Sequence, residues 1–213
     1  LAGLMGSGRT EIAEAIFGRR AAAAGTILFD GQPIKGQHDA IERGVALVPE
    51  DRRKMGLVLD HSVRDNVLLP NLERFTRHLF VQDGEVLKTV EGTIRSLSIK
   101  TDSPDKLARL LSGGNQQKIV IGKWHARGPR LLILDEPTIG VDIGAKSEIV
   151  ATVRKMADAG MAVLLISSEL EEIMAISDRI LVLHNGRIAQ EMNRKDVASE
   201  EELHHAIQGH RIK

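Results

Sequence analysis

The feature that most constrains this chain is a short apolar run with two acids at its end, Leu131-Leu132-Ile133-Leu134-Asp135-Glu136-Pro137. An uninterrupted apolar run of strand length suits a parallel strand covered on both faces. Open α/β sheets bind ligands beyond the carboxyl ends of such strands, where Asp135 and Glu136 fall. Adjacent buried acids are costly unless a metal or hydrogen bonds compensate them, although an Asp there also serves simply to cap the next segment. About twenty residues upstream lies Leu111-Ser112-Gly113-Gly114-Asn115-Gln116-Gln117-Lys118. Read alone, it is equally an ordinary Ser-capped helix. Placed before an acid-tipped strand, its bare N–H groups at a helix N-terminus suit a phosphate.

A third element opens the chain. Gly3-Leu4-Met5-Gly6-Ser7-Gly8-Arg9-Thr10 has the spacing G-x-x-x-x-G-K-[ST] of a phosphate loop, with Arg9 where lysine is expected. Thr10 is placed to offer its hydroxyl to Mg²⁺, and Glu11 to Gly18 reads as the helix behind the loop. Arginine is a planar fork on a bulkier head and no neutral replacement for a lysine reaching between phosphates. Leu1-Ala2 runs directly into the loop, so the expectation is a fragment that begins inside a strand and continues a longer polypeptide.

Between these elements the pattern alternates. Gly25 to Phe29 is β-compatible, and Asp30-Gly31 signals a turn back to Pro33-Ile34. Asp39 to Arg43 reads as a short helix and Val45 to Val48 as a strand. The charged loop Glu50-Asp51-Arg52-Arg53-Lys54 reads mostly as a solvated turn, and Ser62 caps a helix to Leu69 with Asp65 in its first turn. Residues 72–110 read as helical and charged, without a strand, and Asp83 to Leu97 is the clearest amphipathic segment. Ala21 to Ala24 reads as a loop or helix end.

Downstream, a helix runs to about Ala126 and carries the only tryptophan, Trp124, as a core residue. Gly140-Val141-Asp142 leads into a helix from Ile143 to Ala159. Met161 to Ile166 is a second buried strand, and Ser167-Ser168-Glu169 caps a helix from Leu170 to Ile176. Arg179 to Leu183, Asn185-Gly186 and Arg187 to Ala189 form a type I′ hairpin. Glu200 to Gln208 is a terminal helix. Its histidines, His204 and His205 with His210, lack the i,i+4 face of a helical metal site and read as a solvated terminus.

Composition excludes several classes. The chain has 213 residues and no cysteine, so disulfides and thiol catalysis are out. Lys plus Arg equals Asp plus Glu at 29 each, and no global charge argues for nucleic acid. No apolar run approaches the ~18 residues of a membrane span.

Phosphate loop, helical insert, Ser-Gly-Gly signature and acid-tipped strand stand in the order that resembles the nucleotide-binding domain of ATP-binding cassette transporters, over essentially the whole chain. Glu50-Asp51-Arg52, the arginine-bearing loop, the signature and Asp135 to Lys146 look like the second cassette of tandem ATPases from bacterial ribose, galactose and xylose importers. The resemblance implies an α/β P-loop NTPase core, a mainly parallel sheet with flanking helices and an antiparallel β part. That core would be formed by residues 1–71 and 111–213 of a single domain, with 72–110 as an inserted helical subdomain.

It also implies ATP and Mg²⁺ as cofactors and hydrolysis coupled to sugar import at the cytoplasmic face of a bacterial membrane. The nucleotide would be held by Gly3, Met5, Gly6, Ser7, Gly8, Arg9 and Thr10, and in trans by Ser112, Gly113, Gly114 and Gln116. Thr10, Glu50 and Asp135 would hold the metal. Glu136 would be the general base, and Ser168 stands where the family usually has a switch histidine. Glu50 likewise replaces a usual glutamine, and Ile139 a basic residue usual in the sugar-importer subgroup. The implied partners are a second cassette packed head to tail, upstream in the same polypeptide, the permease subunits and, indirectly, a sugar-binding protein. The loop after Val48 is where the resemblance places the permease contact. An impaired loop beside an intact signature predicts slow or absent turnover at the chain's own site, with the signature completing the partner's. A non-hydrolysing module that only donates the signature is the alternative.

Overall fold

A computed structural model describes residues 1–4 and 6–209; Met5 and His210 lie outside the described residues. Three parallel strands, β4 (Val45–Val48), β7 (Leu131–Asp135) and β8 (Ala162–Ile166), lie in the order β4-β7-β8. Val45 registers with Leu131, and Leu131 with Ala162. Leu132, Ile133 and Leu134 are fully buried, as a strand covered on both faces requires. β1 (Ala2–Gly3) pairs parallel with β9 (Arg179–His184), and β9 pairs antiparallel with β10 (Arg187–Asn193). The Leu1 amino nitrogen donates to the Leu165 carbonyl and so joins this group to β8. The Asn185-Gly186 turn has positive φ at both residues, as the type I′ hairpin needs.

Helices cover the sheet. α1 (Arg9–Ile16), α6 (Gly113–His125), α7 (Ile143–Asp158) and α8 (Leu170–Ile176) flank β4, β7 and β8, and α9 (Glu200–Ile207) packs on β9. One apolar cluster fills the space between α1, α6, α7 and the parallel strands. A smaller one, with Ile173, Ile180, Val182 and Leu203, lies under β9 and α9. Trp124 is buried and meets Phe17 edge to face at 5.9 Å, so it packs in the core.

Most expected elements are present with shifted ends. β2 (Leu28–Phe29) and β3 (Gln32–Pro33) are shorter than the apolar pattern suggested, and α2 spans Gln37–Glu42. Ala21 to Ala24 is irregular. α3 (Val63–Leu68) starts in a full capping box between Ser62 and Asp65, as expected. α7 is capped by Asp142.

Two expectations need correcting. The segment 72–110 is not free of strands: after α4 (Leu72–Phe75), β5 (Thr76–Arg77) and β6 (Phe80–Val81) form a small hairpin ahead of α5 (Asp83–Ser96). Its turn residues, His78 and Leu79, adopt positive φ without glycine or asparagine, so no turn chemistry announced it. At α8 the cap position is Glu169, with no side-chain cap bond; Ser167 Oγ instead accepts from the Glu169 amide.

Candidate functional site

The expected loop, acids and switch position converge at the carboxyl ends of β1, β7 and β8. Gly3 ends β1, and Gly8 stands before α1 at φ 99°, a backbone conformation that favours glycine. The turn leaves Arg9 and Thr10 as the first residues of α1. Ser7 Oγ is buried without a partner. Met5, expected in the same loop, lies outside the described residues.

Arg9 is 7% exposed. Its guanidinium donates to the Ser167 carbonyl at 2.8 Å and pairs with Glu136 Oε1 at 3.1 Å. The other carboxylate oxygen, Oε2, accepts from the Ser168 amide and hydroxyl, both at 3.0 Å. Glu136 itself has φ 46°, a sparsely populated conformation for a residue with a side chain. Arg9, Glu136 and Ser168 thus form one closed unit. Its members were each legible in the sequence, but their mutual attachment was not.

Asp135 is 2% exposed, with Oδ1 lacking a partner. Burial above all pushes its carboxyl up to about 6, nearby Glu50 and Glu136 add to the rise, and the Thr10 hydrogen bond and Arg9 oppose it. Thr10 and Asp135 therefore meet, with Glu50 near enough to be felt. Among the described residues no group of three or more His, Cys, Asp and Glu side chains could hold a metal ion alone. A hydroxyl, an orphaned buried carboxylate and the oxygens of a bound phosphate do suit a hard cation such as Mg²⁺.

Burial of this carboxyl makes stability depend on pH. The Asp135 pKa rises from 3.8 unfolded to about 6 folded, so the folded state binds the proton more tightly. Its cost is absent below the unfolded value, grows as pH rises between the two, and is complete above the folded one. Asp135→Asn is expected to raise unfolding stability at pH 7 by about 1 kcal/mol, allowing for partial solvent screening. The gain should vanish near pH 4, as thermal melts at both pH values would show.

Glu172 belongs to the same region and was missed. It is 2% exposed on α8, where it accepts from Thr138 Oγ1 and from Ser167 Oγ. Burial raises its pKa, and Lys146 approaches at 3.8 Å. The carboxylate ties the turn after Glu136 to the turn bearing Ser168. In the sequence it is one of three acids in Glu169-Leu170-Glu171-Glu172, and only helical phase separates it from its solvated neighbours.

Ser112 caps α6, its Oγ accepting from the Asn115 amide. Gly113, half-buried, and Gly114, buried, form the first turn. A side chain at Gly114 has no room, since its Cβ would lie 2.4 Å from Ala145 Cβ. Gln116, expected at the nucleotide, is corrected. It is fully buried and its amide donates to the Ala108 and Leu111 carbonyls, both at 3.1 Å, so it fixes the approach to α6. Arg52 is one of the residues of the charged loop that is not simply solvated: its guanidinium donates to the Ile139 and Gly140 carbonyls.

Comparison with known proteins adds identity to geometry. The ABC transporter family matches residues 1–139. A ribose import ATP-binding protein of Geobacillus kaustophilus is 50% identical over 190 residues, covering 88% of this chain and 38% of the relative. That of Bacillus subtilis strain 168 is 45% identical over 202 residues, covering 94% of this chain and 41% of the relative. The chain thus spans about two fifths of the length of these relatives. Among solved structures, an ATP-binding cassette in a dimeric post-hydrolysis state with ADP and Pi superposes with TM-score 0.78 at 20% identity, covering 91% of this chain and 83% of that one. A cassette from Clostridium perfringens, part of an ABC transporter complex, gives 0.77 at 24% identity, covering 97% and 82%. At these identities the structures bear on fold alone, and the fold is that of the ABC ATPases. No helix among the described residues is long and apolar enough to cross a membrane.

Proposed function

The chain belongs to the ABC transporter family, and from that premise we propose that it is the second ATPase cassette of a tandem sugar importer, with a slow site of its own and a signature that completes the site of its partner. Relatives named for ribose import support the substrate class. The proposed setting is the cytoplasmic face of a bacterial membrane, beneath the permease subunits and, through them, a sugar-binding protein.

The observation that carries the reading is the Arg9–Glu136 ion pair. In a working cassette the cation at position 9 goes to the phosphates and the glutamate orients water. Here each spends its charge on the other, and Ser168 holds the remaining carboxylate oxygen. A nucleotide bound by Gly3, Gly6, Ser7, Gly8 and Thr10 meets a base that is already engaged. Thr10 and Asp135, with Glu50 nearby, would hold Mg²⁺, which when bound offsets phosphate charge. The N–H groups of Gly113 and Gly114, beside Ser112, would stabilise the charge developing on a phosphoryl group held by the partner cassette.

The same ion pair also favours a second reading, a module that donates the signature and never hydrolyses. Steady-state ATP turnover of the complete protein separates them. Ser112→Asp keeps a capping oxygen but sets a carboxylate where phosphate would lie. It is expected to lower turnover on the order of a hundredfold. Glu136→Gln is expected to lower it by less than about tenfold. No change at all with Glu136→Gln would favour the module. Equal, large losses would show that this site turns over fully and would sink both readings.

A further inference from the structure

The five residues Arg52–Gly56 form a single π-helical turn, held at its start by Asp51, whose carboxylate accepts from the Arg53 and Lys54 amides. This turn lies along one stripe of α6. The Arg52 guanidinium abuts Gly113, where a Cβ would come within 2.8 Å of its Nη2. Arg53 Nε reaches Gln116 Oε1 at 3.5 Å. Gly56 approaches Val120 so closely that a Cβ would lie 3.0 Å from Cγ2, and its carbonyl accepts from Lys123 Nζ. Positions 113, 116, 120 and 123 follow the spacing of one helical face. Turn and helix are therefore one packed body.

Arg52 joins that body to the turn after Glu136. Its two terminal nitrogens donate to Ile139 at 2.8 Å and Gly140 at 3.1 Å, a forked contact that a single ammonium cannot reproduce. A cation beside the positive end of a helix is unfavourable by itself, and burial here lowers the Arg52 pKa. The two carbonyls compensate it, and the guanidinium adds its field to the Gly113 and Gly114 amides.

We propose that Arg52 is a positioning residue that holds the Ser112–Gly114 helix end against the Ile139–Gly140 turn, so that the Gly113 and Gly114 amides keep their place. This rests on the reading that the signature completes a partner's ATP site. The charged turn then has a task beyond its exposed position, fixing the helix end that offers the Gly113 and Gly114 amides.

The test uses the complete protein with Arg52→Lys, which keeps the charge and loses the fork, and Arg52→Ala. Each is expected to lower kcat on the order of tenfold or more, since misplacement of a catalytic group by a fraction of an ångström is enough. KM for ATP should change less than about threefold, as expected when an interaction is realised in the transition state. Amide hydrogen exchange at Gly113, Gly114 and Gly140 should quicken in both variants. A purely structural arginine would instead lower the melting temperature and leave the kcat of the folded fraction intact. That result, or full activity in Arg52→Lys, overturns the proposal. Ser112→Asp measured alongside identifies the level of failure. If it too leaves turnover intact, the trans reading falls and this inference with it; if it abolishes turnover while Arg52→Lys does not, only the inference falls.

Discussion

Arg9→Ala is expected to destabilise the folded protein by about 3 kcal/mol, because it removes one member of a buried ion pair and strands the other. The two side chains are 8% and 10% exposed, so little water reaches the carboxylate left behind. The Ser167 carbonyl loses its donor in the same substitution. Ser168 retains its two hydrogen bonds to Glu136, which keeps the cost at the lower end of the range. Glu136→Gln in the Arg9→Ala background should recover most of the loss, since the stranded charge is gone. Urea unfolding of the two single variants and the double variant, read as a thermodynamic cycle, gives the coupling directly. Additive effects would mean that the pair contributes nothing to the fold. The cycle also guards the kinetic experiments, because an Arg9 variant with low turnover is uninformative until its folded fraction is known.

Gly114→Ala is the second large effect. The added methyl would sit 2.4 Å from Ala145 Cβ and 3.5 Å from a Val141 methyl, so α6 and α7 must separate. Overpacking of this kind costs about 2–3 kcal/mol. The strain falls on the first turn of α6, where Gly113 and Gly114 present their amides, so turnover should drop with stability. Ala145→Gly vacates the colliding position at a helix-propensity cost of about 1 kcal/mol. The double variant should therefore be more stable than Gly114→Ala alone in thermal melts. If it is not, the close approach of the two helices is not what position 114 requires.

Much of the fold was legible because its cues are local. The run Leu131 to Leu134 declared a strand buried on both faces, the Ser62–Asp65 spacing a capping box, and Asn185-Gly186 a hairpin. The hairpin at His78-Leu79 was invisible because its turn lacks the residue types that make positive φ inexpensive. At the site, residue identities were legible and residue partners were not. Arg9 read as a poor phosphate ligand, yet its attachment to Glu136 depends on where β1 lies relative to β7, over a separation of 127 positions. Gln116 and Arg52 illustrate this in opposite directions. A glutamine in a signature motif looked functional and is a buried strut, whereas an arginine in a turn read as mostly solvated reaches 87 positions along the chain. Glu172 was hidden for the same reason, since burial of one acid among three is decided by what packs over it.

The Arg9 contact also limits how such a chain can change. Its guanidinium serves two acceptors on different strands' ends, the Ser167 carbonyl and the Glu136 carboxylate. Arg9→Lys would restore the phosphate-loop pattern in a single step, but a lysine carries one ammonium and cannot span both acceptors while also reaching a phosphate. The loop would gain its cation and the turns beyond β7 and β8 would lose their brace. Ser168 would still hold the other carboxylate oxygen of Glu136. A return to the lysine pattern by that one substitution is therefore expected to pass through a less stable protein.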